Sequence, residues 1–123
     1  MKHLSLLLII VFFTVACSSK HEASFDVPAI TIKDYEIQKY WVPTKNLLSF
    51  DNNFRQPKES GFVRVQILID SKGEIFNPVI IESKGGWDKF ALRALKEIHY
   101  VSTEFNISKT PVYVIKEFRF LAP

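Results

Sequence analysis

The sequence predicts a small α+β domain, a three-stranded antiparallel sheet packed against two helices, on three observations. Val63, Val65, Ile67 and Ile69 alternate with Phe62, Arg64, Gln66 and Asp70, the period-two pattern of a half-buried strand, with Leu68 as the exception on the polar parity. Beyond Gly85 and Gly86, the residues Trp87, Phe90, Ala91, Ala94, Leu95 and Ile98 recur at helical spacing. After Pro111, Val112, Val114, Phe118 and Phe120 return to a single parity that Lys116 interrupts. The chain has 123 residues, 47% hydrophobic and 24% charged, which suits one small domain and excludes a multidomain enzyme, wholesale disorder and a polytopic membrane protein. A net charge of +3 with no block of like charge gives no basis for a nucleic-acid partner.

Taken in order, the chain opens with Lys2 and His3 and an apolar run over residues 4–16. A bilayer core needs about 20 helical residues, so the run is too short to span and reads as the h-region of a secretory signal, outside the fold. It stops at Cys17, the only cysteine, and Thr14, Val15, Ala16 and Cys17 resemble the bacterial lipobox, with Thr14 where Leu is usual. That resemblance implies lipidation at Cys17. Ser18 in the next position implies the outer rather than the inner membrane, and the protein is then anchored without spanning.

Residues 18–27 are polar and read as a tether. In residues 28–42 the stretches 29–33 and 35–38 suggest short extended pieces, including a possible extra strand, with Tyr40 and Trp41 available to pack on the domain. Leu47, Leu48, Phe50 and Phe54 predict a first helix within residues 43–60, ended by Pro57. The strand from Gly61 turns back through Asp70, Ser71, Lys72 and Gly73, where Gly73 can take a positive φ, and Ile75, Val79 and Ile81 form the return. Pro78 cannot donate to a ladder, which puts this second strand at an edge or a bulge. The amphipathic helix follows, with Asp88 near its N-terminus and Lys96 toward its C-terminus. Residues 102–110 read as loop, and the last strand begins after Pro111. The segments are therefore a signal (residues 1–16), a lipidated Cys and tether (residues 17–42) and the domain (residues 43–123).

Residues 61–65, 69–75, 79–83, the helix with Trp87, Asp88 and Ala91 to Leu95, and the closing 111–114 and 118–120 resemble the C-terminal domain of the TonB family, in a TonB/TolA-like fold. The likeness covers about half of the chain. Members are periplasmic ends of energy transducers serving outer-membrane receptors, and the resemblance implies that a receptor or other envelope-protein peptide adds to the last strand. Carried over, that edge is Val112, Tyr113, Val114, Ile115, Lys116, Glu117 and Phe118. The departures are the short apolar run in place of a spanning helix and the absence of a long Pro-rich spacer. About 25 residues separate Cys17 from Pro43, a reach of at most ~85 Å.

No catalytic constellation emerges, so no enzymatic activity, metal or cofactor is expected. Neither His21 nor His99 has a metal-ligand spacing, and His99 reads as a helix C-terminal residue. Gly85 and Gly86 lack the Lys and Ser/Thr of a phosphate cradle and read as a strand-to-helix turn. Asp70 and Glu74 read as solvated residues flanking the hairpin turn, although a paired-carboxylate acid/base role stays open at this stage. The function expected is a periplasm-facing lipoprotein with a protein-binding module accessory to outer-membrane transport. The alternative is an envelope structural or assembly lipoprotein that binds another envelope protein or peptidoglycan. The sequence carries no signal for oligomeric state.

Overall fold

The structure is a computed structural model and describes residues 21–44 and 55–122. In chain order these form β1 (Ile30–Thr31), a 3₁₀ helix (Asp34–Lys39), β2 (Trp41–Pro43), β3 (Gly61–Ile69), β4 (Ile75–Lys84), α1 (Asp88–Glu97), β5 (Tyr100–Ser102) and β6 (Val112–Phe120).

The expected α+β class is present, but the sheet is larger than the three antiparallel strands predicted. It is a mixed four-stranded sheet of order β1-β6-β3-β4, beside a two-stranded sheet of β2 and β5. Strand β3 is central because both its sides are paired, antiparallel to β4 and to β6. Its register with β6 runs unbroken from Gly61 opposite Phe120 to Ile69 opposite Val112. Against β4 the register slips between Gln66 and Leu68, opposite Asn77 and Pro78, where Asn77 takes a φ of 49°. A residue without an N–H is tolerated there because β4 is an outer strand. The added strand β1 lies parallel to the start of β6, with Ile30 beside Val112 and Thr31 beside Tyr113.

Among the described residues there are two helices, and one of them, the 3₁₀ helix, lies in a stretch read as extended. Phe90, Ala91, Ala94 and Leu95 of α1 are buried, as the stripe requires, and the two alanines permit a close approach to the sheet. The other is the 3₁₀ helix, which buries Ile37. Of the helix expected within residues 43–60, Pro43 instead ends β2, residues 55–60 are non-helical, and the predicted stripe of Leu47, Leu48, Phe50 and Phe54 lies outside the described residues. The chain after Tyr100 is also more ordered than expected, since β5 pairs with β2 and brings Trp41 opposite Ser102.

The core lies between the inner face of the sheet and α1. Val63, Val65, Ile67, Ile69 and Val112 are fully buried there. Trp87, just before α1, stacks flat on Phe120 at 4.7 Å and donates its indole N–H to the Glu59 carbonyl at 2.7 Å. Trp41 joins the same core and donates to the Thr110 carbonyl at 2.9 Å, so a residue expected before the domain is part of it. Lys116 interrupts the apolar parity of β6 because it has partners on that face. Its ammonium donates to the Tyr100 hydroxyl at 3.1 Å and lies 5.8 Å from that ring's centroid and 5.9 Å from that of Phe118. The aliphatic stem can then be covered while the charge sits against π faces.

Candidate functional site: the open edge of the last strand

A strand's backbone groups point alternately to its two sides, so the neighbour on one side fixes which residues face the other. The carbonyls of Pro111 and Tyr113 accept from Ile30 N–H at 3.0 Å and Ile32 N–H at 2.9 Å, on the β1 side. By alternation Ile115, Glu117 and Arg119 present their N–H and C=O to that same side, while Val112, Val114, Lys116 and Phe118 face β3. Strand β1 ends at Thr31 and the chain leaves into the 3₁₀ helix at Asp34, so among the described residues no strand pairs with this side of β6 beyond Tyr113.

The expected edge of Val112, Tyr113, Val114, Ile115, Lys116, Glu117 and Phe118 is therefore corrected in two ways. Its first part is already occupied by β1, and only its odd-numbered members beyond Tyr113 offer main-chain groups outward. The open stretch shifts toward the C-terminal half of β6 and includes Arg119.

The open edge borders a trough on the outer face of the sheet. A groove of about 420 Å³ lies where β1 ends, lined by Ile32, Lys33, Asp34, Arg64, Gln66, Tyr113 and Ile115 among others. A second hollow of about 370 Å³ continues from it, sharing Asp34, Arg64 and Ile115 and adding Phe62, Glu82 and Glu117. The floor carries both signs of charge. Arg64 donates to Glu82 at 3.3 Å and pairs across the strands with Glu117, which in turn accepts from Arg119 at 3.2 Å. All these side chains are partly or well exposed, so the ion pairs add little to the stability of the fold. Arg64 and Gln66 were visible in the sequence as the polar parity of β3. Asp34 and Lys33 were not, because their place depends on where β1 docks.

The remaining sequence candidates are dispersed. Asp70 is not solvated but 1% exposed. Its carboxylate accepts from the N–H groups of Lys72 at 3.0 Å, Glu74 at 2.9 Å and Ser24 at 3.0 Å, which makes it the organiser of the hairpin turn. Glu74 accepts from His21, whose ring stacks on Phe76 at 5.5 Å. Residues 21–26, read as tether, are thus attached to the turn, with Ser71 N–H donating to the Ser24 carbonyl at 2.9 Å and Asp26 N–H to the Ser71 hydroxyl at 2.8 Å. His99 lies beyond the end of α1 with an exposed side chain, and its carbonyl accepts from Thr44. Gly85 and Gly86 take φ of 90° and 80° in the turn before α1. Among the described residues no group of His, Cys, Asp and Glu could hold a metal ion, and no helix is long and apolar enough to cross a membrane. Cys17 lies outside the described residues. Compared with protein-family models, with curated proteins and with solved structures, the chain matches none of them.

Proposed function

We propose that this chain is a non-catalytic, lipid-anchored binding module of the bacterial envelope that receives an extended peptide of a partner protein at the open edge of β6. The observation that carries the reading is that β1 already adds to β6 at Val112 and Tyr113 and stops, leaving the outward main chain of Ile115, Glu117 and Arg119 beside a trough. Strand addition supplies affinity through main-chain hydrogen bonds and specificity through side-chain pockets, and both components have a place here. The resemblance to TonB C-terminal domains supports the same mode, with a receptor peptide as the partner and transport as the setting. Anchorage through Cys17, facing the periplasm from the outer membrane, completes the reading.

The test is amide hydrogen exchange on the chain with and without a candidate receptor peptide. Ile115, Glu117 and Arg119 gain protection on binding while the even-numbered amides of β6, already bonded to β3, change little. A Glu117→Pro variant keeps its β3 ladder, since this N–H points outward, but loses peptide binding. Unaltered binding by that folded variant, or protection confined to another surface, would refute strand addition at β6.

A further inference from the structure

The loop between β5 and β6 reverses the usual partition of side chains. Its amide residue Asn106 is buried at 3% exposure, while Phe105 and Ile107 on either side stand 83% and 87% exposed. The arrangement is held by the backbone. Asn106 donates through Nδ2 to the Tyr40 carbonyl at 3.1 Å and accepts through Oδ1 from Thr110 N–H at 2.9 Å. Thr103 adds its N–H to Tyr40 at 3.0 Å and its hydroxyl to Lys39 at 2.6 Å, and Lys109 N–H donates to the Asn106 carbonyl at 3.1 Å. With Asn106 turned inward, its two neighbours stand outward. Large apolar side chains presented on an ordered loop mark an interaction surface.

The position of the loop selects its occupant. It feeds the start of β6, at the end of the sheet where β3 leaves and β4 enters, so it lies at the same end as the turn through Asp70 and Gly73. Residues 21–26 are bonded to that turn and hold a third exposed apolar side chain, Phe25, between Ser24 and Asp26. A shallow hollow lined by Ser24, Asp26, Lys72, Val101 and Lys109 connects the two segments. Cys17 precedes His21 by four residues, a reach of at most about 14 Å even when extended. Lys72 and Lys109 share this end with Glu22, Asp26, Glu74 and Glu104, so the exposed apolar side chains and the short tether, and not net charge, select the occupant.

We infer that Phe105, Ile107 and Phe25 enter the interface of the bilayer to which Cys17 anchors the chain, docking this end of the domain on lipid and directing the open part of β6 away from it. The inference rests on the lipid-anchor reading of Cys17. Exposed apolar side chains at the tethered end suit the headgroup and acyl boundary, and a second membrane signal beside a lipid chain converts a loose tether into a fixed orientation.

The experiment places an environment-sensitive fluorophore on Ile107→Cys in the full-length protein, purified from membranes and reconstituted in phosphatidylethanolamine and phosphatidylglycerol vesicles. Leu121→Cys, equally exposed at 87% but at the far end of β6, is the control. The expected result is a blue-shifted emission at position 107, most of it lost to nitroxide on the lipid acyl chains, with neither effect at position 121. Full access of aqueous iodide at both positions overturns the inference, as does shielding of position 107 that requires added envelope protein, which would put a protein on the loop. The intact mass separates the two readings. An acylated chain with a wet position 107 keeps the anchor and overturns the docking, whereas a non-acylated chain whose probe still enters vesicles overturns the anchor and keeps the docking.

Discussion

Asp70 concentrates more structure than any other polar residue described. One carboxylate accepts N–H groups from Lys72 within the hairpin turn, from Glu74 just after it and from Ser24, more than forty positions earlier in the chain. A buried acceptor removed from several donors leaves them unsatisfied, so Asp70→Ala should cost about 2–3 kcal/mol, read from urea unfolding. Asp70→Asn should lose less, because its carbonyl oxygen can keep Lys72 and Glu74 while its amide opposes the Ser24 N–H. In both variants the Ser24 amide should exchange faster, and unchanged exchange would show that the N-terminal segment is held by other means. Gly73 completes the turn for a steric reason. Its φ is 79°, and a Cβ there would sit 1.9 Å from the Tyr100 carbonyl oxygen, which belongs to the neighbouring small sheet.

Among the elements, α1 depends most on its surroundings. Ten residues are too few for a stable isolated helix, so it persists through the burial of Phe90, Ala91, Ala94 and Leu95 on the sheet. Leu95→Ala removes buried methyl groups and should destabilise the domain by ~2–5 kcal/mol in denaturant titration. A loss within error would mean that the helix is not a principal core contact. The strand β6 shows the opposite dependence on position. Its even-numbered residues hold the ladder to β3, whereas Ile115, Glu117 and Arg119 contribute little to it through their main chain. Substitutions along one strand therefore divide by parity into those that affect folding and those that affect recognition.

At the scale of the molecule, the two ends of the sheet differ. One gathers the N-terminal segment, the Asp70 turn and the loop with Phe105 and Ile107; the other carries the Gly85 and Gly86 turn, Trp87 and Phe120. The lipid-anchor reading makes the first end proximal to the membrane. Cys17→Ser should then move the protein from the membrane fraction to the soluble periplasmic fraction, assayed by fractionation and immunoblotting. Retention at the wild-type level would exclude lipidation as the principal anchor. If Cys17 is the anchor, its small reach to the domain fits a module that acts close to its membrane and not one that crosses the periplasm on a long spacer.

The sequence by itself determined β3, β6 and α1, because each announces itself through a local period that any chain segment of its length expresses: parity for a half-buried strand, helical spacing for an amphipathic helix. Strand β4 was legible from the turn before it and not from parity, since Val79 and Ile81 stand exposed while Ile75 and Ile80, on either side of the slip at Asn77 and Pro78, pack on the core. The sequence also marked Pro78 as a sign of an outer strand or a bulge, through the missing N–H. Only the tertiary structure decided that Ile30 and Thr31 close the first part of the β6 edge, that Trp41 belongs to the core, that Asp70 is buried, and that Asn106 turns Phe105 and Ile107 outward. These depend on partners far apart in the chain, and two- or three-residue strands are too short to show a period. The candidate edge was therefore legible as a strand and not as an edge, since which side of a strand stays open is fixed by the neighbour that docks beside it.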